Sequence, residues 1–165
     1  MEKITKEYNV YKFEELEKDI QEKLINQEKQ DEFDEYIEWF LYDDLYEEAK
    51  RILKENIKDA TLKNINYSLS YCQGDGAMME FEFYYYNNLI NVKHDGWYCH
   101  SRCFSIDGDY YLTEKQQEKL YNKVLKIQEE FEKRAWKVVD YTPSEEEAIE
   151  HLKENKYLID GSIFE

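Results

Sequence analysis

The densest chemistry in this sequence is carboxylate. Asp31, Glu32, Asp34, Glu35, Glu38, Asp43, Asp44, Glu47 and Glu48 follow one another without a Lys or Arg among them. Like charges three and four residues apart on a helix repel by about a few tenths of a kcal/mol per pair, so the run gives up stability that a mixed-charge surface would keep. Two readings stand. The acids form a solvated face, favoured where they lie near the N-terminal end of a helix dipole. Alternatively they form a rigid ridge whose charges stand in for the phosphates of a nucleic acid and fit a Lys/Arg groove. On the second reading Asp31, Asp34, Glu35, Glu38, Asp43, Asp44, Glu47 and Glu48 touch a partner protein.

Other chemistry-bearing groups are sparser. His94, Cys99, His100 and Cys103 fall close together in the sequence, and Cys72 could lie on a neighbouring strand. On an extended strand Cys99 and Cys103 would stand about 13 Å apart, too far for one tetrahedral zinc, and His100 would face the other way. No metal site is expected. Gln73-Gly74-Asp75-Gly76 lacks the Lys and the strand-to-helix setting of a phosphate loop, and a tight hairpin turn explains its glycines. Gln73 and Asp75 can still project from the loop tip and touch a partner. Asp107-Gly108-Asp109 has no Glu at the twelfth position of a calcium loop and reads as a turn. No Ser or Cys sits in a nucleophile motif beside a base, and no acid pair stands out for proton transfer, so no catalytic residue and no cofactor are assigned. Of the sixteen tyrosines, Tyr84, Tyr86, Tyr98 and Tyr110 fall on faces that alternation marks as polar, where they either supply contact area to a partner or reflect only AT-rich codon usage.

Composition bounds the partners. Asp and Glu outnumber Lys and Arg by 38 to 22, a formal charge of −16. Such a surface repels phosphates and anionic membranes and attracts basic proteins, so direct binding of nucleic acid is not expected. With 42% apolar and 16% aromatic residues, the 165-residue chain is expected to fold as a single domain over residues 1–165. Three cysteines, an odd number, and the polar start Met1-Glu2-Lys3 point to reduced thiols in a cytoplasm. The longest apolar run, Trp39 to Tyr42, is far below membrane-spanning length.

The elements that must position these groups follow from periodicity. Phe13, Leu16, Ile20 and Leu24 recur at helical spacing, and a second helix is expected from Asp31, its cap, along Phe33, Ile37, Leu41, Leu45, Ala49 and Ile52. The period then changes to two. Ile65, Tyr67, Leu69 and Tyr71 alternate with polar residues, and Met79, Phe81, Phe83 and Tyr85 repeat the pattern. Turn residues at Gly74-Asp75-Gly76, Asn87-Asn88 and Asp95-Gly96 predict an antiparallel meander of three or four strands. Thr113 and Gln116 form a capping box for a long helix to Asp140, with a stripe of Leu120, Val124, Ile127, Phe131, Ala135 and Val138. Thr142-Pro143-Ser144-Glu145 repeats the start signal, with Thr142 as cap, and a short helix carries Ala148, Ile149 and Leu152. Tyr157, Leu158 and Ile159 suggest a closing strand. Helices, then a meander, then helices, make the fold class α+β.

Four segments, Val10 to Lys23, Tyr42 to Lys50, Ile65 to Ala77 and Glu154 to Phe164, together resemble a family of phage and prophage proteins, some labelled antitoxin-like. The Gln73-Gly-Asp-Gly-Ala77 loop is the most specific part. Family members usually carry Ser in place of Cys72, and an aromatic or small residue followed by Phe in place of Met78-Met79. The resemblance implies a phage or mobile-element origin and action in the cytoplasm of a bacterial host; no activity comes with it. Joined to the acids, it leads to the expectation of a non-catalytic inhibitor that mimics nucleic acid and blocks a host defence nucleoprotein such as a CRISPR effector. An antitoxin neutralising a basic toxin, and a small hydrolase or nucleotide-binding enzyme, are the alternatives.

Overall fold

The computed structural model describes residues 7–108, 111–140 and 142–164. Among them, after a 3-10 turn at Phe13–Glu15, lie helices α1 (Lys18–Trp39) and α2 (Leu41–Asn56), strands β1 (Thr61–Ser68), β2 (Gly76–Tyr85), β3 (Asn88–His94) and β4 (Phe104–Asp107), and helices α3 (Glu114–Val139) and α4 (Glu145–Lys153). The class is α+β. No helix among the described residues is long and apolar enough to cross a membrane.

Contacts divide the chain into two compact units. One is drawn from Met1–Glu38 and Tyr141–Glu165, the other is Trp39–Asp140. In the second unit the strands form one antiparallel sheet in the order β1-β2-β3-β4, the expected meander. α3 packs on β2, α2 on β1, and the two helices on each other. Met79, Phe81 and Phe83 of β2 are buried with Ile90 and Val92 of β3, whose side chains share a sheet face by register. Leu41, Leu45, Ala49 and Ile52 of α2 and Leu120, Val124, Ile127, Phe131 and Ala135 of α3 close that core. The Thr113 capping box is present in full, with Thr113 Oγ1 accepting from the Gln116 amide at 3.4 Å.

Several expectations change. Asp31 caps nothing: it lies inside α1, and Gln27 donates to its Oδ1 at 2.8 Å. The stretch from Asn26 to Gln30 contains no Gly or Pro, so nothing stops the first helix there. The break comes instead at Phe40, in the aromatic run from Trp39 to Tyr42, where bulky rings lose side-chain freedom against the preceding turn. The single acidic helix is therefore two helices. β1 ends at Ser68, so Leu69 and Tyr71 do not continue its alternation. The β2–β3 turn sits one residue earlier than expected, with Tyr86 at φ 47° and Asn87 at φ 61°. Val139, not Val138, is the buried residue at the end of α3.

The other unit is built on Phe13, Leu16, Leu152 and Tyr157, with Ile20, Leu24, Ile25 and Ile149 packed against them. Ser144, not Thr142, caps α4: its Oγ accepts from the Glu147 amide at 3.0 Å, which leaves Pro143 just outside the helix, where its missing N–H costs nothing. The expected closing strand is reduced to single bridges from Tyr157 to Tyr11 and Ile163. Gly161 turns this segment at φ 86°, and a Cβ there would fall 2.8 Å from Ile20 Cγ2. Asp107 ends β4 and pairs with Lys93 at 3.0 Å, while Asp109 and Tyr110 lie outside the described residues.

Candidate functional site

The acids divide between the units. Asp31, Asp34, Glu35 and Glu38 are exposed on α1, Asp34 accepting from Gln30 at 2.8 Å. Asp43, Asp44 and Glu47 are exposed on α2, opposite its buried stripe. The run is not left without bases, contrary to its appearance in the sequence. Lys50 pairs with Glu47 at 2.6 Å, and Arg51 reaches Glu48 at 2.6 Å from the next turn. Arg134 crosses from α3 to Glu48 at 2.9 Å and to Glu55 at 3.4 Å, and also pairs with Glu130. Burial works against the half-buried Glu48 carboxylate, but the bonds from Arg51 and Arg134 outweigh it and hold its pKa below the ordinary value. Glu48 thus fastens α2 to α3. Tyr42 stacks on Tyr46 at 5.8 Å beside Asp43, and both Phe40 and Tyr42 are exposed.

The second candidate is the loop from Leu69 to Asp75. Asp75 does not project from its tip. Its carboxylate accepts from Ser68 Oγ at 2.6 Å, Ser70 N at 2.9 Å, Ser70 Oγ at 2.8 Å and Cys72 N at 2.7 Å. These donors favour the charged form and draw its pKa down to about 2. Gln73 is exposed, as are Tyr71 and Cys72. Gly74 (φ 88°) lies against the Tyr98 ring, where a Cβ would come within 1.9 Å of Cδ1. Cys99 N donates to Gly74 O at 3.3 Å, so the loop before β2 is tied to the loop before β4.

That second loop corrects the zinc geometry. Cys99 and Cys103 are not on an extended strand: the segment turns, with Cys103 N donating to His100 O at 2.9 Å. Cys103 Sγ lies 3.3 Å from His100 Nε2. Burial pushes both thiols above their ordinary pKa, which keeps them protonated and opposes use as nucleophiles. No group of three or more metal-binding side chains occurs among the described residues.

A row on α3 positions this whole end of the unit. Gln128, fully buried, donates Nε2 to Met79 O at 2.7 Å and accepts Met79 N at 2.8 Å. Its amide completes the strand ladder where β3 no longer pairs with β2. Four residues on, the Glu132 carboxylate accepts Ser101 N at 3.2 Å and fits against Gly76, whose Cβ would fall 2.1 Å from Oε1. Four further, Trp136 underlies the Tyr71 ring, centroids 4.9 Å apart. Asp140, four beyond that, accepts from Tyr71 Oη at 2.8 Å. Residues four apart form one ridge of a helix, so this row was open to discovery as a polar stripe beside the apolar one.

Compared with protein families, curated proteins and solved structures, the chain matches none.

Proposed function

We propose that this chain is a non-catalytic, phage- or prophage-encoded inhibitor that docks on a basic surface of a host protein, its acids standing where nucleic acid phosphates would lie. The observation that carries this reading is on α2. One side of the helix is fully buried, so Asp43 and Asp44 are directed outward beside the exposed Phe40 and Tyr42. Exposed aromatic rings among acids suit an Arg-rich surface, since rings take guanidinium groups on their faces and carboxylates take their edges. The charge of −16 adds long-range attraction for such a partner. A host defence protein that grips nucleic acid, such as a CRISPR effector, has a surface of this kind, and the resemblance to phage proteins points the same way.

The test uses the tagged chain to capture its partner from host cells, with a single-stranded oligonucleotide in solution as competitor. On the proposed reading the captured protein is itself a nucleic-acid binder, and excess oligonucleotide displaces it. Replacing Asp34, Glu35, Glu38, Asp43 and Asp44 by their amides weakens capture and reduces its dependence on salt. A partner retained both by the neutralised protein and under excess oligonucleotide overturns the mimic. A small basic toxin as partner establishes the antitoxin instead.

A further inference from the structure

We infer that Tyr71, Trp136 and Asp140 form a clamp for an arginine side chain of a protein partner. The inference deepens the docking reading and rests on it for the existence of a basic partner, but it concerns a different part of the surface. Tyr71 holds φ 58°, in the left-handed region that suits glycine and is uncommon for a bulky aromatic residue. The same loop uses glycine at 74, and β2 begins on glycine at 76, where only backbone fits. At position 71 the loop carries instead a large ring in a backbone conformation that disfavours it.

That ring is fixed from below and at its edge. Trp136 lies 4.9 Å beneath it, and its hydroxyl is bonded to Asp140. Yet Tyr71 is 73% exposed, so the ring face turned away from Trp136 is open to solvent. The Asp75 hydrogen bonds set the loop backbone on both sides of the ring, so little ordering remains to be done on binding. An electron-rich face with a carboxylate at its phenolic edge is complementary to one group in particular. A guanidinium is planar, stacks on the ring and presents its N–H edge to the carboxylate at the same time; an ammonium satisfies one or the other. The negative charge of the chain favours a cation here over any anion. Trp97, on the loop tied to Gly74, is 97% exposed and offers a further aromatic face.

The probe is a blocked peptide, acetyl-Gly-Arg-Arg-Gly-amide, titrated into the labelled full chain and followed by NMR, with the Lys-Lys peptide as comparison. The Trp136 indole and Tyr71 ring signals are expected to shift saturably with the Arg peptide, and roughly five-fold more weakly with the Lys peptide. Tyr71→Leu removes the face and should weaken Arg binding roughly five-fold, with sheet amide signals unchanged, while Tyr71→Phe keeps the face and retains the Arg preference. Shifts confined to α1 and α2, equal response to the two peptides, or an unaffected Tyr71→Leu overturn the clamp. The two readings fail separately. Loss of the Trp136 response leaves acid-dependent partner capture standing, whereas the variant neutralised at Asp34, Glu35, Glu38, Asp43 and Asp44 should lose partner capture and keep the Trp136 response.

Discussion

The sheet unit and the unit built from α1 and α4 bury side chains in different ways. In the sheet unit two helices pack on each other and on β1 and β2, and even the polar atoms are matched, as Gln128 shows with both its amide groups on Met79. In the other unit α1 contains no fully buried residue in 22 positions, and the core narrows to Phe13, Leu16, Leu152 and Tyr157. Tyr157 concentrates this packing. It lies edge-on to Phe13 at 6.5 Å, donates its hydroxyl to Leu152 O at 2.8 Å and bridges to both Tyr11 and Ile163. A unit held at one point is expected to open locally more readily than one held by a layered core.

The largest expected effect follows from that concentration. Tyr157→Ala removes an aromatic side chain from the small core, a change that typically costs roughly 3–5 kcal/mol. Hydrogen exchange should then show α1 and α4 losing protection while β2, β3 and α3 keep theirs. Gln128→Leu is the matching change in the sheet unit. It strands the buried N–H and C=O of Met79, each worth about 1–3 kcal/mol when unpaired, and should lower protection in the sheet and α3 together. Loss of protection across the entire chain from Tyr157→Ala would show that the two units unfold as one.

The sequence revealed these units unequally, for physical reasons visible in single residues. The Thr113 capping box and the alternation from Met79 to Phe83 are local signals, and both hold because a cap and a pleat depend on near neighbours. Asp31 failed as a cap because a capping residue is a start signal only where the preceding helix has stopped. Thr142 and Ser144 are both able to cap, and position relative to Pro143 decides between them. The site was less legible. Asp75 resembled a residue offered at a loop tip, but four donors from its own loop and the end of β1 consume it. Glu48 looked unneutralised because Arg51 stands just past the end of the acidic run, and because Arg134, distant in the chain, arrives only by helix packing. Alternation placed Tyr71 on a strand, and only the loop geometry gives it a left-handed backbone over Trp136.

A smaller effect separates two acidic turns, one in each unit. Asp75 has its pKa drawn down to about 2 by Ser68, Cys72 and Ser70, whereas Asp160 is lowered chiefly by the hydroxyl and amide of Ser162, with lesser help from its own backbone N–H and the Lys23 charge. A folded carboxyl held below its unfolded value stabilises the fold above the unfolded pKa, near 4, and loses that contribution as pH falls through the folded one. Below pH 4 the Asp75 loop therefore weakens gradually and is released only near pH 2. Amide shifts of Ser70, Cys72 and Ser162 recorded from pH 5 to pH 1.5 should show the Ser162 turn titrating at the higher pH. Equal midpoints would mean that the additional donors on Asp75 do not strengthen its hold.

The smallest effect concerns the acids themselves and has opposite signs in the two helices. Asp43 and Asp44 lie in the first turn of α2, where the partial positive charge of the helix N-terminus favours them. Glu35 and Glu38 lie toward the other end of α1, whose last turn carries no basic residue, so the dipole there opposes them and Asp34 adds like-charge repulsion. Replacing Asp43 and Asp44 by Asn should therefore lower Tm slightly, on the order of 1 °C, and replacing Glu35 and Glu38 by Gln should raise it by a similar amount. Salt should shrink both changes, because both pairs are exposed. The combination separates folding from docking. Acids whose removal stabilises α1 contribute nothing to its fold, and a loss of partner capture on the same Glu35→Gln, Glu38→Gln change could then be attributed to the interface alone. A rise in Tm with capture unchanged would leave α1's acids as a solvated face and confine the docking surface to the sheet unit.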